Sequence, residues 1–160
     1  MKTLVVYFSR TGRTRQIAQA IADRLSADIE CIPDVGNRSG IWGYIRSLRE
    51  AMQQLVINIG PPNKNPSDYD LIILGTPVWA HNMCSPLRSY ITAQKERFRA
   101  VAVLCTQGGS GASKVVGDIA KLCGRTPVGT LILNVREIKK DQFTAKLDRF
   151  IKSVTLAQAA

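Results

Sequence analysis

Apolar positions along the chain follow two alternating rhythms. Near-continuous aliphatic, β-branched and aromatic runs occupy Lys2–Phe8, Asp70–Gly75, Ala100–Cys105 and Val128–Val135, with a shorter one at Asp28–Ile32. Runs of this kind fit strands covered on both faces. Between them, apolar residues recur at helical spacing. Ile17, Ala18, Ile21, Ala22 and Leu25 form one stripe; Ile41, Trp42, Ile45, Leu48 and Met52 form a second, despite Gly43 within it. Stripes of this width are expected to face a core. Ser85-Pro86 reads as an N-cap followed by proline at the first helical position, opening a helix through about Gln94. Ser113–Cys123 reads as a helix stopped by Gly124, and Asp141 as the cap of a last helix striped by Phe143, Leu147, Phe150, Ile151 and Val154. Gln53–Ser67, with Gly60-Pro61-Pro62 and Pro66, reads as a loop with a short extended piece at most.

Five strands alternating with five helices predict right-handed crossovers and a parallel sheet with helices on both faces. The fold class is therefore α/β, doubly wound, as a single domain over residues 1–156 with a tail at 157–160 expected to fray. In such folds a ligand lies beyond the carboxyl ends of the strands, where the strand order switches direction. The loops after the first, third and fourth strands are thus the place to look for chemistry.

Bulk properties narrow the classes. The 160 residues suffice for one domain with a substantial core, and no apolar run reaches the roughly 18–20 residues of a membrane span. The first ten residues lack the apolar core and small-residue cleavage site of a signal peptide, so a cytoplasmic protein is expected. Cys31, Cys84, Cys105 and Cys123 are widely spaced with no C-x-x-C pair, which predicts reduced thiols. One histidine, His81, and no Cys/His cluster argue against zinc. The net charge of +10 favours acidic partners: an anionic cofactor, an acidic protein, nucleic acid or a membrane surface.

Ser9-Arg10-Thr11-Gly12-Arg13-Thr14 follows the first strand and opens a helix. A helix N-terminus offers unbonded backbone N–H groups and partial positive charge, which together bind anions. Three hydroxyls and a glycine at that point suit a phosphate monoester. Other phosphate motifs fail on inspection. Lys114 lacks the Gly-x-x-x-x-Gly-Lys-Ser/Thr context of a nucleotide-triphosphate loop. A receiver domain needs acidic residues where Phe8-Ser9 and Gly75-Thr76-Pro77 stand, and a cysteine phosphatase needs arginine where Gly111 follows Cys105.

The strand–Ser-x-Thr-Gly-x-Thr–helix segment resembles the phosphate loop of the flavodoxin family, which binds flavin mononucleotide (FMN). That resemblance implies that Ser9, Thr11, Gly12 and Thr14 cradle the phosphate with backbone N–H groups of Arg10 and Arg13. Arginines 10, 13 and 15 depart from the family, whose phosphate loops are usually free of nearby cations. After the third strand, Gly75-Thr76-Pro77-Val78-Trp79-Ala80-His81 resembles the family's isoalloxazine loop. Gly75-Thr76-Pro77 is expected to turn the chain off the strand, leaving Trp79 poorly placed for the core and free to stack on the flavin. His81 reads as an exposed loop residue before it reads as a flavin or substrate contact. Cys84 reads as a small buried residue at a helix start.

After the fourth strand, Thr106-Gln107-Gly108-Gly109-Ser110-Gly111 allows close backbone approach, and the resemblance implies that it wraps the other flavin edge. No tyrosine stands there as a second stacking face. The resemblance covers nearly the whole chain and implies strand order 2-1-3-4-5. It also implies electron transfer through bound flavin, with a redox partner protein, acidic given the charge, or a small-molecule acceptor. An NAD(P)H-dependent quinone or small-molecule reductase remains an alternative. A cationic nucleic-acid-binding module is a distant one, because the basic residues are scattered and lack a recognition pattern.

Overall fold

Hydrophobic residues on consecutive positions need cover on both sides, and the sheet supplies it. The computed structural model describes residues 2–33, 35–36 and 39–157, so residues 158–160 of the tail lie outside the described residues. Strand β1 (Thr3–Tyr7) is buried along its whole length. It pairs in parallel with β2 (Asp28–Cys31) on one side and β3 (Leu71–Trp79) on the other. Beyond β3 lie β5 (Ala100–Gln107) and β6 (Thr130–Asn134), both parallel, giving the order β2-β1-β3-β5-β6. The two-residue β4 (Asn82–Met83) folds back antiparallel on the end of β3. Counting only the five parallel strands, the order is the expected 2-1-3-4-5.

Strand alternation divides the core in two. Leu4, Val6, Ile72, Leu74, Val101 and Val103 point to one face, which α2 (Gly40–Met52), α3 (Ser85–Gln94) and α4 (Ala112–Cys123) help to cover. Val5, Tyr7, Leu71, Ile73, Ala102 and Leu104 point to the other, against α1 (Arg13–Leu25) and α6 (Thr144–Leu156). Period-two alternation within an unbroken apolar run is what a two-faced parallel sheet requires. Register aligns Tyr7 with Gly75, and Gly75 with Leu104, so the loops after β1, β3 and β5 leave the sheet side by side. Gly75 is fixed by this packing: a Cβ there would lie 2.9 Å from the Tyr7 Cβ.

Several expectations are corrected. β3 does not turn off at Gly75 but runs to Trp79. Pro77 is tolerated because β1 has already ended at the Gly75 pair, so nothing on that side needs its missing N–H. The turn comes later, at Ala80-His81, where φ is 47° and 59° between paired Trp79 and Asn82. Positive φ at both central residues of a two-residue loop matches the twist of a tight hairpin.

Helix α2 is the largest departure. Its buried residues are Gly43, Ser47, Glu50 and Ala51, while Ile41, Trp42, Ile45 and Met52 are exposed. The cluster it joins already holds the rings of Phe8, Tyr69 and Trp79, and the helix meets that cluster with its small residues and half-buried Leu48.

At α3 the N-cap is Cys84, not Ser85, and Pro86 lies in the first turn. The Cys84 N–H donates to Thr76 Oγ1 at 3.1 Å, so the helix start is held from β3. Val135 does not end a strand but opens a short helix, α5 (Val135–Lys139), through a capping box of Asn134 and Glu137. Asp141 sits at φ 53° after α5, and Phe143 precedes α6 without a side-chain cap. Residues 53–67 are irregular but for a single bridge residue at Ile59 and a 3₁₀ turn beginning at Pro66.

Candidate functional site

The three loops enclose one cavity of about 490 Å³, within the range of small-molecule sites. At one end lies the N-terminus of α1. Gly12 is its N-cap at φ 87°, no side chain caps the helix, and its first turn carries no acidic residue. Ser9 Oγ accepts from the Gly12 N–H at 3.1 Å and so curls the loop back before the helix begins. Arg10, Thr11, Arg13 and Thr14 line the cavity from this loop. The Arg10 guanidinium donates to the Gly40 carbonyl at 3.1 Å and lies 5.2 Å from the Tyr44 ring centre, so it bridges to α2. Arg15 is exposed. No aspartate or glutamate lines the cavity among the described residues. This is the donor set of an anion site: free helix-terminal amides, hydroxyls and two guanidinium groups.

The second wall is the β3–β4 hairpin, from Pro77 to His81. Trp79, expected to be poorly placed for the core, is a core residue, 8% exposed and edge-to-face on Phe8 with ring centres 5.7 Å apart. The extension of β3 carries it inward, and its remaining surface lines the cavity. His81 is exposed on the rim. Asn82 Nδ2 donates to the Ala80 carbonyl at 2.7 Å, and Lys114 Nζ donates to Asn82 Oδ1 at 2.9 Å, so α4 pins the hairpin. Lys114 also pairs with Asp118 at 2.7 Å.

The third wall comes from Thr106 and Gly108 to Ser110. Thr106 and Thr14, both buried, share a hydroxyl hydrogen bond of 2.9 Å that ties the third loop to the first. Gln107 Oε1 accepts from the Ala112 N–H at 3.0 Å, and Gly111 caps α4 at φ 107°. A Cβ on Gly111 would fall 2.8 Å from the His81 Cα, so this glycine lets the second and third loops touch.

Most of the residues singled out in the sequence thus converge. Ser9, Gly12, Thr76, Gln107 and Gly111 do not line the cavity; each shapes a loop or a helix start around it. Tyr44 and Val135 line it without having been singled out. Tyr44 sits on an element whose outward face was taken for its core face, and Val135 within an assumed strand. The Asn82–Lys114 pin leaves no local signal, because its partners are 32 residues apart. The four cysteines form no disulfide. Burial pushes the Cys105 thiol, behind the third loop, up to about 12, which keeps it protonated and unreactive near neutrality.

The sequence profile of a flavodoxin family matches residues 2–149. The chain belongs to the flavodoxin family. Comparison with curated protein sequences gives no match. Among solved structures, this flavodoxin-family chain is similar to a flavoprotein from Lactobacillus acidophilus crystallised in complex with FMN. The two share 19% identity and a TM-score of 0.69 over 89% of this chain and 98% of the other. It is also similar to a structure from Bacteroides eggerthii, at 22% identity and TM-score 0.74, covering 93% and 97% of the two chains. A flavodoxin from Streptococcus pneumoniae matches over 98% and 99% at 14% identity and TM-score 0.59. At these identities the likeness establishes the doubly wound fold.

Proposed function

We propose that the protein binds FMN in this cavity, phosphate toward the first loop and ring toward the hairpin, and acts as an electron carrier. One observation carries the reading. The uncapped N-terminus of α1, flanked by Arg10 and Arg13, opens into a cavity walled by Trp79 and free of carboxylates among the described residues. FMN, when bound, supplies one- and two-electron chemistry. The chain's residues do the rest. Arg10, Arg13 and the first-turn amides of α1 neutralise and hold the phosphate. Thr14 and Thr106 keep the first and third loops at fixed separation. Trp79, Ala80 and the glycines at 108 and 109 cover the ring and exclude water. With a net charge of +10, the protein suits a redox partner with an acidic docking face or a small-molecule acceptor.

Titration of the apoprotein with FMN and with riboflavin tests the site. Two charge-assisted contacts to the phosphate make FMN bind at least about a hundredfold more tightly. Equal affinity for the two would remove the phosphate loop from the account. The holoprotein is then mixed with NAD(P)H and a soluble quinone. A carrier leaves the nicotinamide unoxidised, whereas steady turnover would make the protein a reductase.

A further inference from the structure

Among the described residues, nothing covers the outward face of α2. Trp42 is 83% exposed, Ile41 77%, Met52 66% and Val56 61%. Val35, Tyr44, Ile45 and Leu55 are also exposed, so every exposed large apolar residue but Leu156 among the described residues falls between positions 35 and 56. A soluble monomer scatters such residues singly; a concentration on one element marks a binding surface. The patch is held in place. Gln54 adopts φ 52°, and the Leu55 N–H donates to the Glu50 carbonyl at 3.0 Å, folding Leu55 and Val56 back beside the helix end.

Charge selects the occupant. Arg49 is exposed on the same helix, as is Arg46, which pairs with Glu50 at 2.7 Å, and the chain carries +10 overall. Pairing two copies through this face would bring like charges together. An anionic bilayer answers both features. Trp and Tyr favour the headgroup level, aliphatic side chains enter the acyl boundary, and arginines gain from the negative surface potential. A helix of 13 residues, about 20 Å long, is of a size to lie in that plane. We infer that the protein docks peripherally on anionic membranes through the exposed face of α2. Tyr44 belongs both to this face and to the cavity wall, so docking sets the cavity mouth beside the lipid surface. Among the described residues no helix is long and apolar enough to cross a membrane.

The test sediments the holoprotein with vesicles of equal parts phosphatidylglycerol and phosphatidylcholine, and with phosphatidylcholine alone. Co-sedimentation with the anionic vesicles is expected, with a blue shift in tryptophan emission contributed by Trp42, since Trp79 is already buried. Ile41→Gln/Trp42→Gln, which changes no charge, lowers partitioning about tenfold or more, and Arg49→Gln about fivefold. Both variants keep the flavin spectrum of the parent protein, which separates this outcome from failure of the FMN site. Three results would overturn the inference. The first is absence of binding to anionic vesicles. The second is binding undiminished in Ile41→Gln/Trp42→Gln, meaning diffuse charge alone. The third is a concentration-dependent dimer dissolved by the same double variant, which assigns the face to a second copy.

Discussion

Gly111 shows how much of the site rests on single atoms. Its φ of 107° is one that side chains rarely adopt, and a Cβ would meet both the backbone and the ring of His81 at 2.8 Å. Gly111→Ala must therefore spread the second and third loops. We expect it to lower stability by about 1–3 kcal/mol and to weaken FMN and riboflavin alike, measured by urea unfolding and fluorescence titration. Unchanged affinity for both flavins would show that loop contact does not shape the cavity. The neighbouring Ala80 and His81, also at positive φ, lack the Asn-Gly signature by which such a turn is read from sequence. That is why the hairpin, unlike the glycine-rich third loop, was hidden. Thr76, expected at the site, does not line the cavity; its hydroxyl accepts from the Cys84 N–H behind it.

At the scale of elements, the central strands were legible because burial on both faces leaves mostly apolar residues in them. Helix α2 was not. Counting apolar positions assigns the bulkiest residues to the core, whereas Gly43, Ser47 and Ala51 pack inward here. The Asn134–Glu137 capping box was visible in sequence but overridden by the apolar run before it. In the proposed pose the α1 terminus and the β3–β4 hairpin address opposite parts of FMN, so their variants separate. Lys114→Met removes the donor to Asn82 and loosens the hairpin from α4. Its expected effect is a loss of about fivefold in affinity for FMN and riboflavin equally, because the phosphate end is untouched. A loss confined to FMN would instead place the Lys114 charge near the phosphate.

Across the whole molecule, the buried thiols set a limit at high pH. Burial raises Cys105 to about 12 and Cys123 to about 11, from an ordinary value of 9.0. Each raised value means that the folded chain holds its proton more tightly than the unfolded chain. The stability this contributes is complete below pH 9.0 and is lost as pH rises through the folded values. Urea midpoints measured under reducing conditions should therefore fall from about pH 9 upward, less steeply in Cys105→Ala. A midpoint flat to about pH 11 would contradict this.

The cavity also has a consequence for the life of the protein in a cell. Its walls come from positions as distant as Arg10 and Val135, with α1, the β3 hairpin and the start of α5 all contributing. No fragment can assemble it, so occupancy counts only chains whose sheet is complete. By mass action, a ligand at a hundred times its dissociation constant adds about 2.7 kcal/mol against global unfolding. Cofactor supply then governs not only how many copies are active but how many escape degradation, and scarcity of flavin would thin the population itself.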